Sequence, residues 1–423
     1  MKPLLALLLT AATGARLAEE GVGIALVLLA RERTGDSAAA AAVLAAWLAP
    51  HVLAAPVAGA LAARARRRGL FYGGALAVLA VSIGALALLL GRVPTGIAVA
   101  VAVAGGACGP VVTGGLSSLL AEPAPPGPAR DRAYALDAVT YNVAGVGGPA
   151  LVALTAAVAG PAAAGALLAT VAGVSAVAVG CALTRRRGGT RNSPDAMPAS
   201  PDSAHNSPDP GAPARPARSG TRPALATLWQ VRPLRAITAA TTLAFLGVGG
   251  LTLTAVELEA ARGYPGEGGA LMTLFAAGAL AGSLLTARAA PRTTARRLAV
   301  RSLLGTGLAL AAAALAAPFV LCAALFALAG LCDGPLLTAT LRIRADHAPA
   351  ALRTQVFTLG AGLKVTAAAA GAALTGAAVA LAAPEAVLLA VAALQLAAAE
   401  LLRRTWRPGG GVHTSEAVRV GAG

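Results

Sequence analysis

Twelve apolar stretches, six on each side of a charged, proline-rich insert, constrain this 423-residue chain more than any other feature. A helix needs roughly 20 residues, at a rise of about 1.5 Å each, to cross a bilayer, and each stretch is about that long. Hydrophobic residues make up 57% of the chain and charged residues only 12%, a balance that a soluble fold does not require. We place the stretches at residues 4–30, 38–62, 70–91, 94–120, 133–159, 161–183, 233–256, 268–288, 298–317, 318–341, 354–382 and 385–402.

The residue types in these stretches favour helices. Leu, Val and Ala dominate them, and the chain holds 50 glycines, which let membrane helices approach closely. An alternation of period two, typical of membrane β-barrels, is not evident. We therefore predict an all-α, polytopic membrane protein with 12 transmembrane helices in two six-helix bundles, and we expect it to be a monomer among membrane lipids.

The insert divides the chain into domains. Residues Asn192 to Ala217 contain almost no large apolar side chain, so this part cannot bury a core. We predict an N-terminal bundle at 1–184, a disordered cytoplasmic linker at 185–231, a C-terminal bundle at 232–408 and a cytoplasmic tail at 409–423.

Basic residues predict the orientation. If the chain crosses the membrane twelve times, 28 of its 34 basic residues fall on the side of both termini. The positive-inside rule then places both termini in the cytoplasm, and we expect the cell (plasma) membrane. The net charge of +16 is explained by these loops and by anionic lipid, so we expect no nucleic-acid binding.

An internal repeat links the two halves. Six identities share one offset of 225 residues: Ala104, Gly105, Gly109, Pro110, Thr113 and Leu116 recur as Ala329, Gly330, Gly334, Pro335, Thr338 and Leu341. The offset maps the fourth stretch of one half onto the fourth of the other. Chance stays open as an explanation because Ala, Gly and Leu are common here. The Gly-Pro pairs Gly109-Pro110 and Gly334-Pro335, like Gly148-Pro149 in the fifth stretch, are predicted helix kinks.

The loop after the second stretch carries a family resemblance. It reads PVAGALAARARRR and is similar to the G-x-x-x-D-R-x-G-R-R signature of major facilitator superfamily transporters. Gly59, Arg64, Arg67 and Arg68 match, whereas Ala63 and Arg66 replace the acidic residue and the second glycine. The chain resembles this superfamily over nearly its whole length. The resemblance implies two bundles related by a parallel repeat, and a cytoplasmic gate at the four matching residues.

Two further features resemble exporters of this superfamily. The sequence Gly145 to Pro149 is similar to their Gly-Pro motif, although Val152 and Ala153 stand where glycines would follow. The turn Gly35-Asp36-Ser37 is similar to the first outside turn of actinobacterial-type exporters. The resemblance therefore implies export.

Charged residues inside the first stretch are the first functional candidates, because each costs roughly 2.5–3.5 kcal/mol at the bilayer centre. Arg16, Glu19 and Glu20 lie within about one helical turn. We expect one glutamate to neutralise Arg16. The other would remain a carboxyl in low dielectric, where it could take up and release protons near neutral pH. A salt-bridged cluster with no role in transport is the alternative.

The second half offers Asp333 and Lys364, which either form an ion pair or line a cavity. Tyr141 and Asn142 are predicted to line a substrate cavity, whereas for Asp137 an interfacial role is equally open. His51 is a further cavity candidate that could instead bond to nearby backbone.

Motifs for chemistry are missing from the sequence. It contains no G-x-x-x-x-G-K-[ST] loop, no H-E-x-x-H and no C-x-x-C. We therefore predict no enzyme, no cofactor and no metal. The predicted function is secondary transport of a small molecule by alternating access, with proton-coupled efflux of a drug-like or amphipathic metabolite preferred. Import of a small metabolite, or a non-transporting sensor or scaffold with the same fold, are the alternatives.

Overall fold

The computed structural model describes residues 2–34, 37–120, 127–191, 221–263, 270–289, 293–379 and 381–406. Nearly all of these residues are helical, and none of them forms a strand. The helices are α1 (Lys2–Thr34), α2 (Ser37–Leu48), α3 (Pro50–Arg64), α4 (Arg68–Leu89), α5 (Thr95–Gly106), α6 (Leu116–Leu120), α7 (Pro128–Ala159), α8 (Pro161–Arg191), α9 (Thr221–Gln230), α10 (Arg232–Val248), α11 (Leu251–Ala261), α12 (Ala270–Ala289), α13 (Ala295–Leu315), α14 (Phe319–His347), α15 (Arg353–Ala378) and α16 (Pro384–Thr405).

Eleven segments of the described chain are long and apolar enough to cross a membrane. The remaining long helix, α1, has 33 residues and carries Arg16, Glu19 and Glu20 in its middle. The predicted all-α, polytopic membrane fold is confirmed. Three of the predicted stretches consist of two helices each, because the chain bends where α2 meets α3, where α5 leads to α6, and where α10 meets α11.

The helices pack into two halves, the first built from α1–α8 and the second from α10–α16. In the first half, α4 packs on α8 and α1 packs on α7; the equivalent pairs in the second are α13 with α16 and α10 with α15. The halves meet along two seams, where α3 packs on α15 and α7 packs on α12. In the two halves α3 corresponds to α12, and α7 corresponds to α15. The two seams are therefore equivalent to each other, as expected for two halves related by one axis.

Helices extend into the predicted linker from both ends. α8 continues to Arg191, and α9 lies wholly within the range expected to be disordered. Ala224 and Leu228 of α9 are buried against Val356 and Leu359 of α15. Four residues separate these two anchors, so they share one helix face, a feature that the polar composition of the insert obscures. Residues 192–220, the predicted tail at 409–423, and positions 35 and 36 of the predicted outside turn lie outside the described residues.

The Gly-Pro pairs differ in their effect on the helices. α7 runs through Pro149 and α14 through Pro335 without a break in helical structure. In the fourth stretch, by contrast, α5 ends at Gly106 and a π-helical turn, Val111–Gly115, follows Gly109-Pro110. The two members of the sequence repeat therefore have different backbones, and only the first interrupts its helix.

Candidate functional site

A polar cavity of about 200 Å³ lies between the two halves, at the middle of their long helices. Helices α1 and α7 of the first half and α10, α14 and α15 of the second form its walls. The lining residues are Glu20, Tyr141, Asn142, Thr241, Phe245, Asp333, Gly334, Leu336, Leu337, Thr340 and Lys364. Acidic, basic, amide and hydroxyl groups thus converge where both halves contribute.

A groove of about 440 Å³ between α1 and α2 is lined by Glu19, Glu20 and Trp47 together with apolar side chains, and only the first half contributes to it. Two larger grooves, of about 620 and 570 Å³, differ from the polar cavity in chemistry. Their linings are almost wholly apolar, and they include exposed side chains such as Leu53 and Val57 on the outer surface. In a membrane protein such a surface faces lipid, so the grooves need no ligand. The polar cavity between the halves is therefore the candidate site.

The charged groups in the cavity are not paired with each other. Among the described residues, Glu20, Asp333 and Lys364 form no ion pair within 4.0 Å. The Lys364 ammonium lies 4.0 Å from the centre of the Phe245 ring, within the range of a cation–π interaction. The Oδ1 atom of Asp333 is buried without a hydrogen-bond partner in the described part of the chain. Asp333 and Lys364 were expected either to form an ion pair or to line a cavity, and the geometry corresponds to the second expectation.

Arg344 lies beside the residues that line the cavity. It lies one helical turn from Thr340 on α14, and its guanidinium fills the space left by Gly360, which is one turn from Lys364 on α15. Only 3% of Arg344 is exposed, and its Nε and Nη2 atoms have no hydrogen-bond partner among the residues that the structure describes. The cavity therefore has an unpaired cation beside it as well as Lys364 in its wall.

Arg16 is neutralised by Asp137, not by a neighbouring glutamate. Its Nη1 atom lies 2.6 Å from Asp137 Oδ1 and also donates to Thr140, while Nη2 donates to Ser117 Oγ at 3.0 Å. The guanidinium centre lies 3.7 Å from the centre of the Tyr141 ring. The expected Arg16–glutamate neutralisation is wrong, because the carboxylate that lies against Arg16 is that of Asp137, whereas Glu19 bonds to His51 and Glu20 lines the cavity.

Asp137 is fully buried, not interfacial. α7 begins at Pro128, five residues before the predicted start at residue 133, so Asp137 lies about 13 Å from the helix start at a rise of about 1.5 Å per residue. Its ion pair with Arg16, which lies near the middle of the 33-residue α1, places its carboxylate inside the bundle.

Glu19 and Glu20 lie in different environments although they are adjacent in the chain. Glu19 Oε1 lies 2.9 Å from His51 Nε2 and accepts a hydrogen bond from Trp47 Nε1 at 3.3 Å. Gly109 packs directly on the His51 ring, where any side chain would overlap it. His51 therefore lies outside the cavity between the halves, in a buried node with Glu19 and Trp47, while Glu20 faces the cavity.

The two halves are joined at the end of the bundle that carries the Arg64–Arg68 loop, here termed the arginine-rich end. Asp131 of α7 pairs with Arg342 of α14 at 2.7 Å, and Ser118 of α6 donates to Thr354 of α15 at 3.2 Å. Between these contacts and the cavity, Tyr134 packs on Phe357 with ring centres 6.2 Å apart. These contacts close the cavity from this end.

The residues predicted as a gate lie at or near this end. Gly59 of α3 packs so closely on Gln355 and Thr358 of α15 that a side chain would overlap them. Arg64, Arg67 and Arg68 are exposed on the adjoining loop. Gly59 therefore takes part in the seam, and the arginines lie beside it.

A family profile described as Major Facilitator Superfamily matches residues 8–266, which is more than half of the chain. The chain belongs to the Major Facilitator Superfamily. Proteins of this superfamily are transporters and not enzymes, and they bind small-molecule substrates within the membrane. A sequence comparison with curated proteins found no match.

Solved structures show the same major facilitator fold at low identity. The human organic anion transporter MFSD10 (TETRAN) matches with a TM-score of 0.70 and 16% identity, over 95% of this chain and 99% of that one. The proton:xylose symporter XylE, bound to 6-bromo-6-deoxy-D-glucose, gives 0.65 and 13%, over 95% of each chain. A bacterial homologue of the iron transporter ferroportin, in an outward-facing state, gives 0.70 and 16%, over 95% and 98%.

The predicted charged and polar residues of the transport site of this major facilitator fall into three places. Glu20, Asp333, Lys364, Tyr141 and Asn142 come together in the cavity. Arg16 lies in the ion pair with Asp137, whereas Glu19 and His51 lie in the node beside Trp47. The glycines of the predicted kinks are packing positions: Gly148 packs on the α1 backbone, Gly334 on the α12 backbone and Gly109 on His51.

Sequence reasoning missed several residues in and beside the cavity, among them Thr241, Phe245 and Arg344. Thr241 and Phe245 are uncharged, and charge inside the membrane was the signal that identified Glu20, Asp333 and Lys364. The predicted tenth stretch ends at residue 341 and leaves Arg344 in a loop, but α14 continues to His347 and carries it into the bundle. The signal was present, since Thr340 and Arg344 are four residues apart and share a helix face. Among the residues that the structure describes, no group of three metal-ligating side chains occurs.

Proposed function

We propose that this major facilitator is a secondary transporter that moves a small molecule by alternating access and couples export to proton uptake, as an antiporter. The observation that carries this proposal is the cavity at the seam, in which Glu20, Asp333 and Lys364 remain unpaired among the described residues. Charges in a membrane interior persist where they face a cavity or a partner. A cavity formed jointly by two halves would change its access when the halves rock against each other.

The closed arginine-rich end is consistent with one state of this cycle, in which the cavity is inaccessible from that side. Contacts between α7 and α14 and between α6 and α15 would have to separate for the cavity to open on that side. We propose that this end is cytoplasmic, in the plasma membrane, with both termini on the same side. The protein would act as a monomer, with residues 1–184 and 232–408 as its two bundles and the intervening segment as a linker.

Proton coupling is proposed for Glu19 and Glu20, the adjacent glutamates in the middle of α1. Glu19 is held by His51 and Trp47 but has its Oε2 atom buried without a partner in the described part of the chain, and Glu20 faces the cavity. The two carboxyls are adjacent in the chain, so a proton on one would change the electrostatic repulsion felt by the other. Export is preferred because of the partial exporter motif at Gly145 to Pro149. The resemblance suggests a drug-like or amphipathic cargo, whereas the present cavity is smaller than drug-sized sites of about 300–1,000 Å³.

The test is a compound screen in proteoliposomes with an imposed pH gradient. We expect a transported compound to accumulate up to about tenfold per pH unit for each coupled proton. Glu19→Gln and Glu20→Gln should lose this gradient-driven accumulation, whereas Glu32→Gln, an exposed position on the same helix, should retain it. Wild-type accumulation in both Glu19→Gln and Glu20→Gln would contradict proton coupling through these residues. If the wild-type protein moves no compound in either direction, the proposed transport function is wrong. If a compound instead moves in the same direction as the protons, the protein is an importer and the proposed direction is wrong.

A further inference from the structure

We propose that the substrate is a small zwitterion, held with its cationic group at Glu20 and its anionic group at Lys364. This inference rests on the proposed transport function and specifies the substrate class of the same cavity. The argument depends on the balance of charge, on the absence of pairing and on the volume of the cavity.

The charges around the cavity balance. Glu20 and Asp333 supply two carboxylates, while Lys364 in the wall and Arg344 beside it supply two cations. Arg16 does not disturb the balance because Asp137 neutralises it at 2.6 Å. A cavity without net charge favours neither a pure cation nor a pure anion.

The charges are balanced yet unpaired, which leaves polar atoms for a ligand. In the described part of the chain, the Lys364 ammonium contacts the Phe245 ring, Asp333 Oδ1 has no partner, and Arg344 has two guanidinium nitrogens without one. Charged groups without partners are costly in a membrane interior, so a ligand that pairs with them is favoured. A cation alone would leave Lys364 unpaired, and an anion alone would leave the carboxylates unpaired. Only a molecule that carries both charges can pair with Lys364 and with a carboxylate at the same time.

The positions of Glu20 and Lys364 give the ligand its orientation. Glu20 comes from α1 of the first half and Lys364 from α15 of the second. A zwitterion bound to both would bridge the halves, and its binding would therefore favour a conformation in which they are close together. Asp333 lies on the same half as Lys364, so it is less suited to such a bridge than Glu20.

The volume of the cavity limits the size of the molecule. The cavity measures about 200 Å³. Pockets for drug-sized ligands occupy about 300–1,000 Å³. Amino acids and compounds of similar size fit the smaller volume, and Phe245 and Tyr141 offer apolar surface to the carbon skeleton between the charges.

The test compares ligands that differ only in charge. A series of ω-amino acids with two to six carbons varies the distance between ammonium and carboxylate, and leucine and phenylalanine add bulk. Each is paired with its amide, which is a cation, its N-acetyl derivative, which is an anion, and its N-acetyl amide, which is neutral. Binding to the purified full chain is measured as the shift in melting temperature with ligand concentration. We expect at least one zwitterion to bind about tenfold or more tightly than its three derivatives.

Two variants test the assigned partners. In Lys364→Gln the cationic amide should bind as tightly as the zwitterion, and in Glu20→Gln the N-acetyl anion should do so. Glu32→Gln should keep the wild-type preference. A structural role would instead weaken all four charge classes equally. Because neither side chain forms an ion pair among the described residues, neither substitution leaves an ion-pair partner behind there, and each variant is expected to fold.

The inference is overturned if no zwitterion binds more tightly than its derivatives, or if both variants keep the wild-type preference. The proposed function is tested separately by the vesicle screen. Transport of a cation, an anion or a neutral compound, with no zwitterion moved, would end this inference and leave transport standing. If no compound of any class is moved, transport itself is overturned.

Discussion

At the residue scale, the charges inside this membrane protein divide into paired and unpaired sets. Arg16 and Asp137 are 1% and 0% exposed and lie 2.6 Å apart, which makes them a structural pair within the first half. Glu20 is exposed to the cavity and, in the described part of the chain, has no bonded partner. The first set is expected to determine stability, and the second to determine ligand binding.

Arg16→Gln tests the structural assignment. The substitution leaves the Asp137 carboxylate buried and uncompensated, which should lower the free energy of unfolding by about 3–5 kcal/mol. Arg16→Gln with Asp137→Asn should cost less than the sum of the two single substitutions, since neither charge then remains unpaired. Thermal or denaturant unfolding in detergent measures both effects.

The matched control is Arg92→Gln, which changes an exposed arginine of the first half and should stay within about 0.5 kcal/mol of the wild type. If Arg16→Gln is as mild as this control, the Arg16–Asp137 pair does not support the first half.

At the scale of helices, the apolar runs predict most of the structure. A spanning helix must satisfy its own backbone, so the position and type of nearly every long helix follow from composition. The breaks within stretches are harder to predict, since Gly-Pro pairs interrupt the α5 region but not α14. What decides between them is tertiary contact: Gly106 and Gly109 pack on the second stretch, at Trp47 and His51.

The candidate site could be predicted only in part, for a related reason. Membrane-embedded charges identify Glu20, Asp333 and Lys364 from sequence alone. The partners of these residues depend on how each helix is rotated about its own axis, and no local sequence pattern predicts that rotation. Asp137 is 121 residues from Arg16, so their pairing appears only once α1 and α7 are packed.

Gly109→Ala tests the contact between helices at the Glu19 node. Its methyl group would overlap the His51 ring and displace it from Glu19, so the free energy of unfolding should fall by about 1–3 kcal/mol. Gly96→Ala in the same helical region faces open space and should be neutral or stabilising by up to about 1 kcal/mol. Melting curves of both variants, together with His51→Ala and His51→Ala/Gly109→Ala, measure the effect.

In the His51→Ala background the further cost of Gly109→Ala should largely disappear, because the ring that it strikes is gone. An equal cost in both backgrounds would show that Gly109 acts through another contact.

At the scale of the whole molecule, function depends on the seam between the halves. The cavity lies in that seam, and the Ser118–Thr354 and Asp131–Arg342 contacts close it at the arginine-rich end. A transporter must open this end in part of its cycle. A sensor or scaffold with the same fold has no such requirement.

Access to the cavity from each face is therefore the most direct measurement of the central claim. Asn142→Cys is made with Cys108, Cys181, Cys322 and Cys332 replaced by serine, and a membrane-impermeant thiol reagent is applied to vesicles of either orientation. Ser118→Cys and Thr354→Cys are then added, and the two are joined by a short cross-linker before labelling. We predict modification of the cavity thiol from both faces in the free protein, and only from the face opposite the arginine-rich end after cross-linking. Modification from neither face, or undiminished modification from the arginine-rich face of the cross-linked protein, would contradict alternating access.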